Sequence, residues 1–107
     1  NMTTSFDPLS NKKKIEFWQN VKGKIHAALL TCTVPTTDCM VNEIQEYLDY
    51  NELGLAWDTL CHGIIQSGVI PEKKIQVLIL EIGSDMGCDQ QDSYHHNIWK
   101  EITAFFD

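Results

Sequence analysis

Helical periodicity is the sequence feature that most constrains the fold of this chain. Apolar residues recur every three or four positions along each apolar-rich segment, and no segment alternates apolar and polar residues as a half-buried strand does. The connections between these segments are short, which implies neighbouring and roughly antiparallel helices. The sequence therefore predicts an all-α fold, a compact single-domain bundle of about five helices within residues 1–107.

The first predicted helix covers residues 11–31, with Ser10 as its N-terminal cap. Residues 1–9 are expected to be disordered or derived from an expression tag, because Asn1 precedes the first methionine. Pro35 is expected to break the chain after this helix.

The second predicted helix begins at a cap supplied by Thr37 or Asp38 and runs to about Tyr50. Asn51 turns the chain into a third helix, which we expect to end at Gly68 in the left-handed conformation.

Pro71 is predicted as the first residue of a fourth helix, which Gly83 weakens internally and Gly87 ends. Asp92 or Ser93 is the expected cap of a fifth helix. The apolar residues on the inward faces of the five helices are the candidate core: Ile15, Trp18, Val21, Ile25, Ala28, Leu29, Val41, Ile44, Leu48, Leu53, Ala56, Trp57, Leu60, Ile64, Ile65, Ile75, Leu78, Ile79, Ile82, Met86, Ile98, Trp99, Ile102, Phe105 and Phe106.

Charge is distributed unevenly along the chain. Residues 1–31 hold five lysines and two acids, whereas residues 32–107 hold three lysines and thirteen acids, and the formal net charge is −7. The chain contains no arginine, the residue best suited to bidentate phosphate and base contacts, which argues against nucleic-acid binding. An acidic body instead favours a basic partner.

Compartment and redox state follow from the apolar runs and the cysteines. No run approaches the length of a membrane span, and the N-terminal residues do not resemble a secretory signal, so we expect a cytoplasmic protein without membrane contact. Cys32, Cys39, Cys61 and Cys88 lie within or beside helical patterns and are expected to be buried free thiols in a reducing compartment.

The acidic residues concentrate around the predicted turn between the second and third helices. Glu43, Glu46 and Asp49 share one helix face opposite Ile44 and Leu48, because they are spaced three apart. The segment from Asp38 to Asp58 contains six acids and no lysine or arginine. Two interpretations stay open: a solvated helix face, or a surface whose like charges are compensated by a bound partner.

Tyrosines flank this turn and are candidate interface anchors, since tyrosine offers contact area and a hydroxyl at little entropic cost. Glu52 lies in the first turn of the third helix, where the helix dipole favours it. Asp58 and His62 are spaced to pair on the outer side of that helix. The candidate partner-binding residues are Glu43, Glu46, Tyr47, Asp49, Tyr50, Asn51, Glu52, Asp58 and His62.

Catalysis and metal binding find little support in the sequence. It lacks a glycine-rich phosphate loop, a GxSxG motif and an HExxH motif. Glu46 and His62 are the one conceivable acid–base pair. His95 and His96 are adjacent, so they point about 100° apart on a helix, and Cys88 with Asp89, Asp92 and His96 lacks the spacing of a zinc or calcium loop. We expect no catalytic residue, metal or cofactor.

The segment EYLDYNELGLAWDTLC, residues 46–61, resembles the YLDHNE-(L/F)-GLALxxL core of small bacterial immunity proteins of the MafI type and of contact-dependent growth inhibition systems. A weaker likeness extends from about Ile44 to Trp99, and residues 1–35 have no counterpart. Tyr50 stands where histidine is common and Trp57 where a smaller apolar residue is common, which leaves the toxin that is recognised open.

The resemblance implies a cytoplasmic, non-enzymatic protein that binds the C-terminal toxin domain of a large secreted protein and neutralises it. The usual targets are small nucleases with basic substrate clefts, in agreement with the acidic charge of this chain. Binding at the active site and at an exosite both stay open. The alternatives are a helical adaptor that binds a host protein, an enzyme using Glu46 or His62, and a nucleic-acid mimic directed at a DNA-binding protein.

Overall fold

Five helices make up the fold in a computed structural model, which describes residues 8–32 and 37–107, with side chains from Lys12 onward. The helices are α1 (Pro8–Thr31), α2 (Asp38–Asp49), α3 (Leu53–Ser67), α4 (Lys73–Asp85) and α5 (His96–Phe106). No strand occurs within these described ranges. The third helix lies at the centre and contacts the other four, so the all-α bundle is confirmed.

The predicted start of the first helix is wrong by three residues. It begins at Pro8, where the fixed φ of proline and its missing N–H suit a first helical position, so Ser10 lies inside the first turn. The same helix ends at Thr31. Pro35 and residues 1–7, which also carried predictions, lie outside the described residues.

The ends of α2 and α3 follow the predicted capping chemistry. The Thr37 hydroxyl accepts a hydrogen bond from the Met40 N–H at 3.1 Å, which confirms it as the cap of α2. Gly68 ends α3 with a φ of 70°, in the left-handed region.

The predicted starts of α4 and α5 are wrong. The fourth helix begins at Lys73, two residues after Pro71, and the fifth begins at His96 rather than just after Asp92 or Ser93. Turns occupy residues 86–95, where the Ser93 hydroxyl accepts from the N–H of His95 instead of capping a helix. Gly87, at a φ of 78°, lies just past the end of α4, as predicted.

The core is centred on Trp57, which is fully buried on α3. Its indole N–H donates to the carbonyl of Ile79 at 2.9 Å, so its polar atom is satisfied inside the protein. Its ring stacks on Trp99 of α5, with the ring centroids 6.4 Å apart. From Val21 onward every predicted core residue is buried or half-buried.

The missing side chain at Gly83 lets α4 pack close to the rings of Trp57 and Trp99. A Cβ at this position would lie 2.6 Å from Cζ2 of Trp57 and 2.9 Å from the ring of Trp99, closer than real contacts allow. The glycine therefore costs helix propensity but makes room for the tryptophan pair.

Lys24 joins α1 to α4 through charge. Its ammonium lies 2.8 Å from a carboxylate oxygen of Asp85 and 3.5 Å from one of Glu81. The hydrogen bond to Asp85 is the largest cause of the raised pKa of Lys24. No helix in the described part of the chain is long and apolar enough to cross a membrane.

Candidate partner-binding surface

Three carboxylates form an exposed face on α2, which we name the acidic face: Glu43, Glu46 and Asp49. Ile44 and Leu48 on the opposite side are 0% and 1% exposed, which confirms the predicted orientation of this helix. At 100° per residue, Glu46 points about 180° from the buried stripe. Within the described residues no lysine or histidine lies within ion-pairing distance of the acidic face.

Two of the three carboxylates accept hydrogen bonds from neutral side chains on the same helix. The amide of Gln45 donates to Asp49 at 3.4 Å, and the hydroxyl of Tyr47 donates to Glu43 at 3.2 Å. These bonds orient the carboxylates without neutralising them. The negative charge of the acidic face therefore remains available to a cationic partner.

The two candidate tyrosines differ in their environments. Tyr47 is half-buried against the core, and its hydrogen bond to Glu43, together with the negative charge of that carboxylate, raises the pKa of Tyr47. The hydroxyl of Tyr47 is thus already engaged within α2. Tyr50 is 74% exposed at the end of α2 and is the tyrosine that fits an anchor for a partner.

The turn after α2 is closed by backbone hydrogen bonds. The N–H of Glu52 donates to the Tyr47 carbonyl at 2.8 Å, and the N–H of Asn51 donates to the Leu48 carbonyl at 3.1 Å. Asn51 has a φ of 58°, a left-handed conformation that asparagine tolerates better than most residues. This is a Schellman motif with asparagine in the usual glycine position. It places Glu52 as the residue that precedes α3 instead of inside its first turn.

A tertiary contact brings one lysine from α1 to the turn after α2. The ammonium of Lys22 on α1 lies 3.3 Å from the side-chain oxygen of Asn51. This contact is a hydrogen bond to a neutral amide, so it places a positive charge beside the turn without forming an ion pair with an acid. The acidic face on α2 has no comparable neighbour among the described residues.

Asp58 differs from the residues of the acidic face because two histidines contact its carboxylate. Nδ1 of His62 lies 2.7 Å from one carboxylate oxygen, which confirms the predicted pair, and Nδ1 of His95 lies 3.1 Å from the other. The side chain of His95 is only 17% exposed. Asp58 therefore links α3 to the segment before α5 and is a poor candidate for a contact with a partner.

Other candidate chemistry is not assembled by the fold. Among the described residues Glu46 and His62 do not pair, and no group of three or more histidine, cysteine or acidic side chains is placed to hold a metal. Cys61 and Cys88 are buried free thiols, but Cys39 is exposed and Cys32 is half-buried, so the expectation of burial is wrong for Cys39.

A groove of about 810 Å³ adjoins the turn that carries Asn51 and Glu52. One wall is formed by α1 through Ile15, Trp18 and Lys22, and the other by the start of α3 with Glu52 and Leu55. The expectation that Ile15 and Trp18 are core residues is wrong, because each is 48% exposed. In the described part of α1, residues 12–20 are all exposed, whereas Val21, Ile25 and Ala28 farther along the helix are buried.

The spacing of the apolar residues did not reveal the exposure of Ile15 and Trp18. These two residues lie about 60° apart around a helix and share one face, whereas Phe17 points about 160° from Ile15 and was not part of that face. The sequence likewise has no local signal for the contacts of Lys22 and His95, whose partners are distant in the chain.

Comparison with known proteins gives no further assignment. The chain matches no protein-family model, no curated protein and no solved structure.

Proposed function

We propose that this chain is a cytoplasmic immunity protein, which binds a delivered toxin domain with a basic cleft and neutralises it by stoichiometric inhibition. The observation that carries the proposal is the acidic face, where Glu43, Glu46 and Asp49 stand exposed without a cation within ion-pairing distance among the described residues. Support also comes from residues 46–61, which resemble the core segment of immunity proteins.

Repulsion gives a physical reason to look for a partner. Like charges spaced three or four apart on a helix destabilise it by about 0.2–0.5 kcal/mol per pair. Glu43, Glu46 and Asp49 contain two such neighbouring pairs, and among the described residues Glu43 and Asp49 accept side-chain hydrogen bonds from neutral groups only. A cationic protein surface would remove this repulsion, whereas an unoccupied helix surface would gain nothing from it.

A nuclease cleft fits this surface because it has evolved to attract phosphates. Carboxylates on α2 would steer the encounter and oppose the basic groups of the cleft. Tyr50 would supply the apolar contact at the edge of the acidic face, since it is 74% exposed and lies one residue after Asp49. Under this proposal Asp58 and His62 support the fold and do not touch the toxin.

Stoichiometric inhibition is the direct test. Toxin activity is measured while the protein is added, and an endpoint near equimolar is expected. Absence of inhibition with every candidate toxin, together with capture of a host protein by the acidic face, would instead favour the adaptor function.

Charge reversal tests the surface itself. Replacing Glu43, Glu46 and Asp49 with lysine is expected to leave the fold intact and to slow association by about tenfold or more at low salt. The matched control replaces Glu72, Asp92 and Glu101 with lysine, because these acids are also exposed and the formal net charge changes equally. Equal slowing in both variants would mean that only net charge matters, which contradicts the assigned surface.

A further inference from the structure

The groove between α1 and the start of α3 contains one histidine whose orientation is fixed. His95, in the segment that follows α4, lines this groove. Its Nδ1 lies 3.1 Å from a carboxylate oxygen of Asp58. Because an ionised carboxylate only accepts hydrogen bonds, Nδ1 of the neutral ring carries the proton, and Nε2 is left as an acceptor.

Nε2 of His95 is presented at the groove without a partner from the described chain. A Cβ at Gly54, which also lines the groove, would lie 2.6 Å from this nitrogen. Among the described residues Nε2 accepts no hydrogen bond, and every buried polar side-chain atom has a partner, so Nε2 is open to solvent. The groove therefore offers a hydrogen-bond acceptor at a fixed position.

Two opposite charges line the same groove without pairing with each other. The ammonium of Lys22 bonds the neutral side chain of Asn51, and Glu52 follows at the next position of the chain. Within the described part of the chain neither Lys22 nor Glu52 forms an ion pair. A ligand that carries both an anion and a cation would satisfy both groups, whereas a ligand of one charge would face an unpaired like charge.

The remaining lining of the groove is largely apolar and includes a tryptophan. Trp18 is 48% exposed, and Ile15, Leu55 and Met86 lie around the same groove. The volume of about 810 Å³ falls within the range of small-molecule sites, about 300–1,000 Å³. An aromatic ligand in this groove can stack on the indole of Trp18.

We propose that this groove binds a free aromatic amino acid whose ring carries an N–H or O–H, as the rings of tryptophan and tyrosine do. The ring lies against Trp18 and donates to Nε2 of His95, the carboxylate contacts Lys22, and the ammonium contacts Glu52. A residue inside a peptide lacks both main-chain charges, and a terminal residue keeps only one, so the two charges select the free molecule. The site does not depend on the proposed function.

The test is titration of the wild-type chain with L-tryptophan, followed by two-dimensional NMR of the backbone amides. Saturable 1:1 binding is expected, with shift changes centred on Lys22, Gly54 and His95. Three analogues each remove one contact: 1-methyltryptophan lacks the ring N–H, tryptamine lacks the carboxylate, and indole-3-propionate lacks the ammonium. Each should bind about fivefold or more weakly than L-tryptophan. Absence of saturable binding would overturn the proposal, as would equal binding by any of the three analogues.

Paired variants test the assignment of these contacts to residues. His95→Phe should weaken L-tryptophan binding about fivefold or more, and His62→Phe is the matched control, because His62 also contacts Asp58 but lies outside the groove lining. Glu52→Gln should weaken binding similarly, with Glu46→Gln as its control. An equal loss in a variant and its control would overturn the proposal.

A cross-comparison of ligand and variant completes the test. 1-Methyltryptophan should bind wild type and His95→Phe equally, because neither complex contains the ring hydrogen bond. A further loss in His95→Phe would overturn the assigned contact. Circular dichroism verifies that the helices are retained, and if His95→Phe does not fold, the three analogues on the wild-type chain decide the proposal.

Discussion

Two tryptophans of this chain occupy similar helical stripes and have opposite environments. Trp57 on α3 is fully buried, donates its N–H to Ile79 and stacks on Trp99. Trp18 on α1 is 48% exposed, and its aromatic neighbour is Phe17 on the same helix. The difference lies in how each stripe is covered: α3 contacts four helices, whereas residues 12–20 of α1 are exposed at every position.

This contrast teaches that an apolar stripe specifies a face and does not specify its partner. For the central helix the partners are in the same chain, so the stripe becomes core. For residues 12–20 of α1 the described helices leave the stripe exposed, so its aromatic residues are open to solvent. Variants that treat the two regions in parallel can break or sharpen this contrast.

The largest expected difference is in the tryptophans themselves. Trp57→Ala should lower the free energy of unfolding by about 3–5 kcal/mol, because it leaves a large cavity at the centre of the bundle. Trp18→Ala should change it by less than about 0.5 kcal/mol, because the side chain is exposed. Urea unfolding measures both. A loss of several kcal/mol for Trp18→Ala would place it in a core and remove the contrast.

Alanine substitutions of two helical glycines give the next largest difference, and their effects on the free energy of unfolding have opposite signs. Gly83→Ala should destabilise by about 1–2 kcal/mol net, since overpacking against two rigid rings outweighs the gain in helix propensity. Gly23→Ala on α1 should stabilise by about 0.5–1 kcal/mol, because a Cβ there meets nothing within 4 Å.

Thermal and urea unfolding of the two glycine variants check both signs. Stabilisation by Gly83→Ala would mean that the tryptophan pair moves aside at little cost. That result would contradict close packing of α4 on Trp57 and Trp99.

The sequence predicted the parts of this fold that depend on local chemistry. Thr37, Gly68 and Gly87 behave as expected because capping and left-handed turns are decided by a few adjacent residues. The orientation of α2 also followed from its spacing alone. The start of α5 was misplaced because residues 86–95 form successive turns, and Ser93 serves one of these.

The candidate site was predictable only in part, for the same reason. The acidic face lies on one helix, so its geometry follows from the periodicity of α2. The pairing of Asp58 with His95 and of Lys22 with Asn51 joins residues 37 and 29 positions apart, and the sequence contains no local signal for either. Contacts between distant residues decide which polar groups of this segment have partners, and the spacing within the segment does not show them.

Alanine substitutions of two acidic residues give a third and smaller difference in the free energy of unfolding. Asp58→Ala should destabilise by about 1–2 kcal/mol, because it leaves two histidine nitrogens without their partner in a half-buried site. Glu46→Ala should stay within about 0.5 kcal/mol, because Glu46 is exposed and lies farthest from the buried stripe of its helix. Equal losses in urea unfolding would contradict the separation of Asp58 from the acidic face.

The cysteines should also differ in reactivity, and this contrast is measured in the folded protein near neutral pH. Iodoacetamide should alkylate exposed Cys39 in the folded protein first, whereas Cys61 and Cys88 should react only on unfolding. Burial raises the pKa of Cys88 to about 11 and that of Cys61 well above its usual value. Little reactive thiolate therefore forms at either site near pH 8. Mass spectrometry of the labelled protein, with Cys39→Ser as the control that loses the fast phase, checks this order.

The same two thiols predict how stability changes in alkali. Because their pKa values are raised in the folded state, the folded chain binds more protons than the unfolded chain between about pH 9 and pH 11. Stability should therefore fall as the pH rises through this window, and Cys88→Ala should flatten the fall. A fall of the same slope in Cys88→Ala would contradict burial of that thiol at the end of α4. Rapid labelling of Cys88 in the folded protein would also contradict its burial, because a thiol reacts rapidly only when it is accessible and ionised.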